Sequence, residues 1–313
     1  MSTKTLLVTG GSGLVGQAIK SISNNYPNYS FVFVSSTQYD LLNLENTKQM
    51  FIDIKPDYVI HLAACVGGLF KNMNNKVEML EKNLMINYNV VKCSHDYKIK
   101  KLIACLSTCI FPNIITYPIS EDTLHSGTPH NSNDTYSYAK RMLDIQCKAY
   151  RENYNDNFSC IIPTNIYGKY DNFNIIDGHV LPALIHQCYL AKQNNTNFVI
   201  KGSGKPLRQF IYSEDLARLI MVLFEKDIKE NIILSVPEKD EISIGDVGRF
   251  IAKCFDYENN VVFDTTYSDG QYKKTVSIDK LSSVINQIDF TSINIGIRET
   301  VDWFVYNFSN IRK

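Results

Sequence analysis

Apolar residues in this chain cluster into short runs separated by longer stretches of helical period. Residues 4–9, with Thr5-Leu6-Leu7-Val8 at their centre, read as a buried strand, and the stretch 14–23 after them as a helix. Residues 31–35 and 58–62 read as the second and third strands, 77–97 as a long helix and 102–107 as the fourth strand. A further helix at 136–154 and a strand at 160–162 close the series. Strands apolar almost throughout, alternating with helices, indicate a parallel sheet covered on both faces. The second half is less regular: helices are expected at 180–192 and 215–224, and short strands at 198–201, 208–212 and 232–236. There is no internal repeat, no Pro/Gly/Ser-rich tether and no charged tail, so the lobes are expected to interleave.

The first chemical signal follows the first strand. Thr9-Gly10-Gly11-Ser12-Gly13-Leu14-Val15-Gly16 places glycines three apart between a strand and a helix. Gly10 allows a tight turn, Gly13 lets the backbone approach a pyrophosphate, and Gly16 permits close packing of helix on strand. The helix N-terminus then offers free N–H groups to the anion. The fold class expected is α/β: a Rossmann-type doubly wound parallel sheet with a smaller, interleaved α/β substrate-binding lobe. Residues 1–168, with returning segments around 205–236, form the dinucleotide-binding domain; 169–204 and 237–313 form the smaller lobe. The second strand ends Val34-Ser35-Ser36-Thr37, without the acidic residue that usually binds a ribose 2′-hydroxyl. Ser36 suits a 2′-phosphate, so the cofactor expected is NADP(H). Asp40 and Leu41 are placed near the adenine, and Ala63-Ala64-Cys65-Val66 after the third strand is slim enough to let the cofactor ribose pass.

Composition narrows the classes. Among 313 residues, 32 Lys+Arg balance 32 Asp+Glu, so no basic excess favours nucleic acid. With 44% hydrophobic and 20% charged residues the chain is of ordinary globular type, and no apolar run reaches the ~18 residues of a membrane span. The N-terminus leads directly into a strand rather than an apolar leader. Eight cysteines without a CxxC pair read as reduced, mostly buried thiols, and a cytoplasmic location is expected. No His/Cys spacing suggests a metal site.

Tyr136-Ser137-Tyr138-Ala139-Lys140 sets a tyrosine and a lysine four apart on one helix face. A free phenol ionises near ~10, and a neighbouring ammonium stabilises the phenolate, drawing it towards the working range of an acid–base group. Ser107 stands at the end of the fourth strand. The glycine turn, Ser107 and Tyr136/Lys140 resemble the extended short-chain dehydrogenase/reductase family over essentially the whole chain. Longer strings narrow the resemblance: Val66-Gly67-Gly68-Leu69-Phe70, Ser107-Thr108-Cys109-Ile110-Phe111-Pro112, Pro129-His130-Asn131-Ser132-Asn133 and Pro163-Thr164-Asn165-Ile166-Tyr167-Gly168. Asp171-Asn172-Phe173-Asn174, Gly178-His179-Val180-Leu181-Pro182, Arg208-Gln209-Phe210-Ile211-Tyr212 and Ser268-Asp269-Gly270-Gln271 complete them. Together they are similar to the branch that epimerises GDP-4-keto-6-deoxy-D-mannose at C3 and C5 and then reduces C4 with NADPH.

The residues suit that chemistry. Protons at C3 and C5 are acidic because both carbons flank the C4 ketone; removing one makes an enolate whose charge Tyr136 and Ser107 are placed to stabilise. Inversion needs two acid–base groups, and a thiol and an imidazole exchange protons around neutrality. The resemblance implies Cys109 as the base and His179 as the acid, and Tyr136, Lys140 and Ser107 as the reducing set. It also implies that Leu106, Ser107 and Thr108, Pro163-Thr164-Asn165-Ile166 and His179 line the cofactor. For the sugar nucleotide, Arg208 offers bidentate bonds to the diphosphate. Asp269 offers an acceptor to the ribose or base, and Asn133 and Asn165 offer contacts to the sugar. The chain departs from the branch at Lys201, where relatives commonly carry Trp, and at Gln187, where they carry Arg or Lys. Relatives pair through two long helices, so a homodimer built on 77–97 and 136–154 is expected. A 4,6-dehydratase would carry an Asp-Glu pair where this chain has Cys109-Ile110. Another epimerase or reductase of nucleotide sugars, or a non-catalytic subunit of the same fold, are the alternative readings; the intact Ser107/Tyr136/Lys140 set argues against the last.

Overall fold

A computed structural model describes residues 3–269 and 271–313, with backbone only at Leu69 and Phe70; Gly270, in one of the strings above, lies outside the described residues. The first half runs β1 (Lys4–Thr9), α1 (Leu14–Ile22), β2 (Tyr29–Val34), α2 (Leu44–Ile54), β3 (Tyr58–His61) and α3 (Leu69–Asn74). It continues through α4 (Lys76–Asp96), β4 (Lys101–Cys105), α5 (Asp134–Tyr154) and β5 (Phe158–Pro163). After these come β6 (Asn165–Tyr167), α6 (Val180–Gln193), β7 (Phe198–Lys201), β8 (Leu207–Arg208), β9 (Phe210–Tyr212) and α7 (Ser213–Glu225). The chain ends with β10 (Ile232–Leu234), β11 (Ile242–Ser243), α8 (Ile244–Cys254), β12 (Val261–Asp264), α9 (Asp279–Val284) and α10 (Ile293–Asn307).

Six strands form the central sheet in the order β10-β5-β4-β3-β1-β2, and every neighbouring pair is parallel. Successive residues of β1 serve opposite faces: Leu7 joins Met50, Phe51, Val90 and Leu143 beneath α2, α4 and α5, while Leu6 and Val8 join Ile19, Leu216 and Ile220 beneath α1 and α7. That double burial explains the near-continuous apolar strands. The chain leaves β1 for β2 on one side and returns to β3 on the other. A switch point therefore opens between the carboxyl ends of β1 and β3, the place where such sheets hold ligands.

A third cluster holds Phe173, Leu184, Ile185, Phe198, Val247, Ile251 and Phe304, drawn from the loop after β6 and from α6, β7, α8 and α10. The stretch 278–290, assigned by sequence to the smaller lobe, instead packs Leu281, Ile285, Ile288 and Phe290 against the cluster under α1 and α7.

Two local departures from the sequence reading have clear causes. α2 was unforeseen because its apolar stripe is narrow; it buries only Thr47, Met50 and Phe51, and its start is fixed by Asn43, whose side chain accepts from the Asn46 N–H at 3.0 Å. The expected strand 208–212 is broken at Gln209, whose buried amide donates to Val236 O at 2.7 Å and accepts from Val276 N at 2.8 Å. β8 therefore pairs antiparallel with β11, and β9 pairs parallel with β6. Among the described residues no helix is long and apolar enough to cross a membrane.

Candidate active site

The turn after β1 closes tightly. Gly10 adopts φ +70°, open to glycine at no cost, and Gly13 N–H donates to Gly10 O at 3.0 Å. A Cβ on Gly16 would fall 2.5 Å from Gly10 O and 2.6 Å from Gly11 Cα, so packing alone excludes a side chain there. Gly13 differs. Its backbone is ordinary extended chain, and a Cβ would meet only Gly10 O, at 3.3 Å. That crowding is mild beside the one at Gly16, and the position opens the N-terminus of α1 to an approaching anion. Gly16→Ala is therefore expected to lower stability by about 1–3 kcal/mol, the range for overpacking. Gly13→Ala is expected to lower the melting temperature less than Gly16→Ala does and to lose more dinucleotide affinity than stability. Thermal melts beside cofactor titrations check the contrast.

Ser36 and Asp40 are exposed at the end of β2 and Leu41 is buried. Asp40 spends its carboxylate on the Leu42 N–H at 3.0 Å, and no carboxylate follows β2 before it. Across the switch point a Cβ on Gly10 would lie 2.8 Å from Ala63 N, so the backbone after β3 abuts the turn. Ala64 is half-buried and Val66 exposed; Asn83 of α4 clamps Cys65 between them, accepting from its N–H at 3.0 Å and donating to its carbonyl at 2.9 Å. Beneath, His61 Nδ1 meets Thr9 Oγ1 at 2.8 Å and Nε2 meets Asn87 Oδ1 at 3.1 Å. Burial, with the Lys140 charge, pushes the His61 imidazole down to about 3, so it stays neutral and structural.

β4 delivers Leu106, Ser107 and a short turn, Thr108–Ile110, carrying Cys109. Helix α5 crosses this segment and pins it: Lys140 Nζ donates to Cys105 O at 2.7 Å, Ser137 Oγ to Cys109 O at 3.0 Å and Arg141 Nε to Ile110 O at 2.7 Å. Tyr136 and Lys140, one turn apart, thus lie against the segment that carries Cys105 and Cys109, with the Lys140 ammonium 5.9 Å from the Tyr136 ring centre. Sequence reasoning missed Ser137 and Arg141, whose contacts are with backbone carbonyls and leave no side-chain motif.

The electrostatics depart from the expectation that Lys140 draws the phenol down. Burial raises Tyr136 well above its ordinary value, with the thiols of Cys109, Cys105 and Cys65 adding to it, and burial lowers Lys140. Desolvation prevails over attraction, and the phenol is held protonated. That is the state a proton donor needs. Lys274, which no motif singled out, lies in electrostatic reach of both Cys109 and Arg208; burial holds its ammonium below the usual range, the Cys109 thiol opposing and Arg208 adding.

Pro163 ends β5, and Thr164 Oγ1 donates to Ser235 Oγ at 3.2 Å. Asn165 is exposed and donates to Gln209 O at 2.9 Å; Ile166 packs partly against the cluster under α1 and α7. Asn133 precedes α5 with a buried Oδ1 that has no partner among the described residues. His179 is exposed at the N-cap of α6, and Gln187 is half-buried within that helix. Arg208 is not the open fork expected: Nη1 donates to Leu207 O at 2.6 Å and Tyr272 O at 3.4 Å, and Nη2 to Gln271 O at 2.8 Å. Nε–H and one Nη2–H have no partner among the described residues. Asp269 accepts from Ser203 N at 2.6 Å and Ser203 Oγ at 2.7 Å, and those bonds lower its carboxyl below the usual range. Lys201 lies 4.8 Å from the ring centre of Tyr267, itself 48% exposed, so an aromatic face is present beside the position where relatives carry Trp.

A doubly wound sheet with a glycine turn at its switch point and a Ser/Tyr/Lys set beside it defines a nucleotide-cofactor enzyme of the short-chain type. The chain belongs to the NAD dependent epimerase/dehydratase family, whose profile matches residues 6–236. It is 49% identical to the GDP-L-fucose synthase of Dictyostelium discoideum, over 100% of this chain and 98% of that protein. It is 45% identical to a probable GDP-L-fucose synthase of Drosophila melanogaster, over 99% and 100%. The crystal structure of a GDP-L-fucose synthetase from Naegleria fowleri bound to NADP superposes with a TM-score of 0.95 at 47% identity, covering 100% of this chain and 96% of the other.

Proposed function

We propose that the protein makes GDP-L-fucose from GDP-4-keto-6-deoxy-D-mannose, epimerising C3 and C5 and reducing the C4 ketone with NADPH. The observation that carries this reading is the juxtaposition of the Cys109 side chain with the Tyr136 hydroxyl on one wall, both fixed by α5. Full-length likeness to GDP-L-fucose synthases supports it.

Cys109, as its thiolate, takes the proton from the carbon next to the ketone and becomes the thiol. The charge that develops on O4 is met by the Tyr136 and Ser107 hydroxyls, held in place beforehand so that no reorganisation is needed. His179, across the cleft on the loop before α6, returns a proton to the opposite face. NADPH, when bound, supplies the hydride to C4. The Gly10–Gly16 turn fits its pyrophosphate, and the absence of a carboxylate between β2 and Asp40 fits a 2′-phosphate. Tyr136 then gives its proton to O4. Lys140, anchored on the Cys105 carbonyl, keeps two N–H bonds for the phenol and the cofactor ribose. Arg208 and Lys274 bring cations towards the diphosphate, Lys201, Asp269 and Gln187 flank the nucleotide, and Asn133 and Asn165 reach the sugar.

We assign the sheet and its returning segments to cofactor binding and the cluster around Phe173 and Phe304 to the substrate lobe. We also assign a homodimer, supported by the outward faces of α4 and α5, where Val77, Met85, Tyr88, Tyr138, Met142 and Ile145 are between 42% and 66% exposed. A cavity of about 380 Å³ lined by Leu84, Met85, Tyr88, Met142 and Tyr150 lies in that face. Free thiols at all eight cysteines suit a reducing, cytoplasmic setting. Light scattering is expected to give a dimer that Met142→Lys splits; a monomeric wild type overturns the assembly. For the activity, NADPH consumption is expected with the GDP-linked 4-keto sugar and little with its UDP counterpart; the reverse preference overturns the substrate assignment.

A further inference from the structure

Asp171 lies in the loop between β6 and α6, is 5% exposed, and takes no part in the chemistry described so far. Its Oδ1 accepts from the Asn172 N–H at 2.7 Å, whereas its buried Oδ2 has no hydrogen-bond partner among the described residues. An uncompensated buried carboxylate oxygen is costly, and native proteins retain few of them. The loop folds back on itself beside this carboxylate: a Cβ on Gly178, next to His179, would fall 2.5 Å from the carbonyl oxygen of Asn172, next to Asp171. Asn172 Oδ1 accepts from Asn174 N at 3.1 Å, Asn174 Oδ1 from Asp177 N at 2.8 Å, and Asn174 O from Gly178 N at 2.9 Å. Asp177 O is tied to Gly68 N at 2.8 Å, and Phe173 is fully buried against Phe304. The segment is thus a stiff turn with Asp171 at one end and His179 at the other. His179 and Arg312 lie in electrostatic reach of Asp171; Arg312 belongs to the C-terminal segment, and its carbonyl accepts from Phe173 N at 2.9 Å.

We propose that Asp171 is a positioning residue for His179, its unpartnered oxygen poised to accept from the imidazole N–H and set the orientation from which the ring exchanges a proton with the sugar. This rests on the reading of His179 as one of the two proton-transfer groups. A carboxylate behind a histidine, fixing its tautomer and direction, is a recurrent way to prepare an imidazole for acid–base work.

The cost of the arrangement gives a readout that a structural role would not. Burial pushes the Asp171 carboxyl up to about 6, with His179, the Asn172 N–H and Arg312 opposing. A folded value above the unfolded one means that the stability Asp171 contributes is complete in acid and is lost as pH rises through about 6. Asp171→Asn is therefore expected to melt at pH 8 no lower than the wild type, while its catalysis falls.

The test follows deuterium incorporation at C3 and C5 of GDP-4-keto-6-deoxy-D-mannose, with NADP+ present, in wild type, Asp171→Asn, His179→Gln and the double variant. Asp171→Asn is expected to slow exchange at the His179-dependent carbon at least tenfold, short of the ~10²–10⁴-fold lost with the acid–base group itself. The double variant is expected to be no slower than His179→Gln alone, because a residue acting only through another adds nothing once that one is gone. Wild-type exchange in Asp171→Asn beside a slow His179→Gln overturns the proposal, as does a further loss in the double variant or a lowered melting temperature in Asp171→Asn. Wild-type exchange in His179→Gln overturns the assignment of His179 itself.

Discussion

Tyr136→Phe is expected to lower the rate of C4 reduction by roughly 10²–10⁴-fold, the usual contribution of a positioned acid, while NADPH binds with nearly unchanged affinity. The substitution removes one oxygen and leaves the ring in place above Lys140, so the loss is confined to proton donation. Because burial and the neighbouring thiols hold the phenol protonated, wild-type reduction should show no fall on raising the pH through the range where a phenolate base would gain activity. Single-turnover oxidation of NADPH reports the rate and cofactor fluorescence the affinity. Normal turnover in Tyr136→Phe would remove the residue from its role.

The second large effect is expected at Cys109. Cys109→Ala should reduce solvent exchange at the carbons beside the ketone by roughly 10²–10⁴-fold. Ser137 would still hold the carbonyl of residue 109 at 3.0 Å, so the turn, Ser107 and the reducing set stay in place. An already epimerised 4-keto sugar should then be reduced at close to the normal rate. Cys109→Ser keeps the geometry but offers a much weaker base, and should resemble the alanine variant rather than the wild type. Unchanged exchange in either variant would exclude the cysteine as the base.

What was legible in the sequence was local. The run Thr5-Leu6-Leu7-Val8 had to be buried on both faces, and Gly10 and Gly16 after it sit where a positive φ or a backbone contact leaves no choice, so β1, the turn and α1 could be read directly. Tyr136 and Lys140 announced themselves because a helix turn separates them. What escaped depends on contacts between distant segments. Lys274 is one of two adjacent lysines in a stretch without period, and becomes a site residue only when the bridge of Ile119 to Val276 carries it towards Cys109. Arg208 reads as an open anion fork until the carbonyls of Gln271 and Tyr272 are seen to occupy it. Asp171 reads as part of a polar turn, and nothing local shows that the C-terminal segment beyond α10 ties down its neighbours, Arg312 donating to Tyr170 O at 2.7 Å and accepting from Phe173 N at 2.9 Å. The break at Gln209 has the same origin, a buried amide bonded to residues that lie 27 and 67 positions away.

The double activity is tested most directly by incubating the purified protein with NADPH and GDP-4-keto-6-deoxy-D-mannose in D2O and following the product by NMR. The account predicts GDP-L-fucose carrying deuterium at both C3 and C5, with one NADPH consumed for each product formed. Consumption of NADPH with hydrogen retained at both carbons would contradict it, leaving a simple 4-reductase in which Cys109 and His179 transfer no proton.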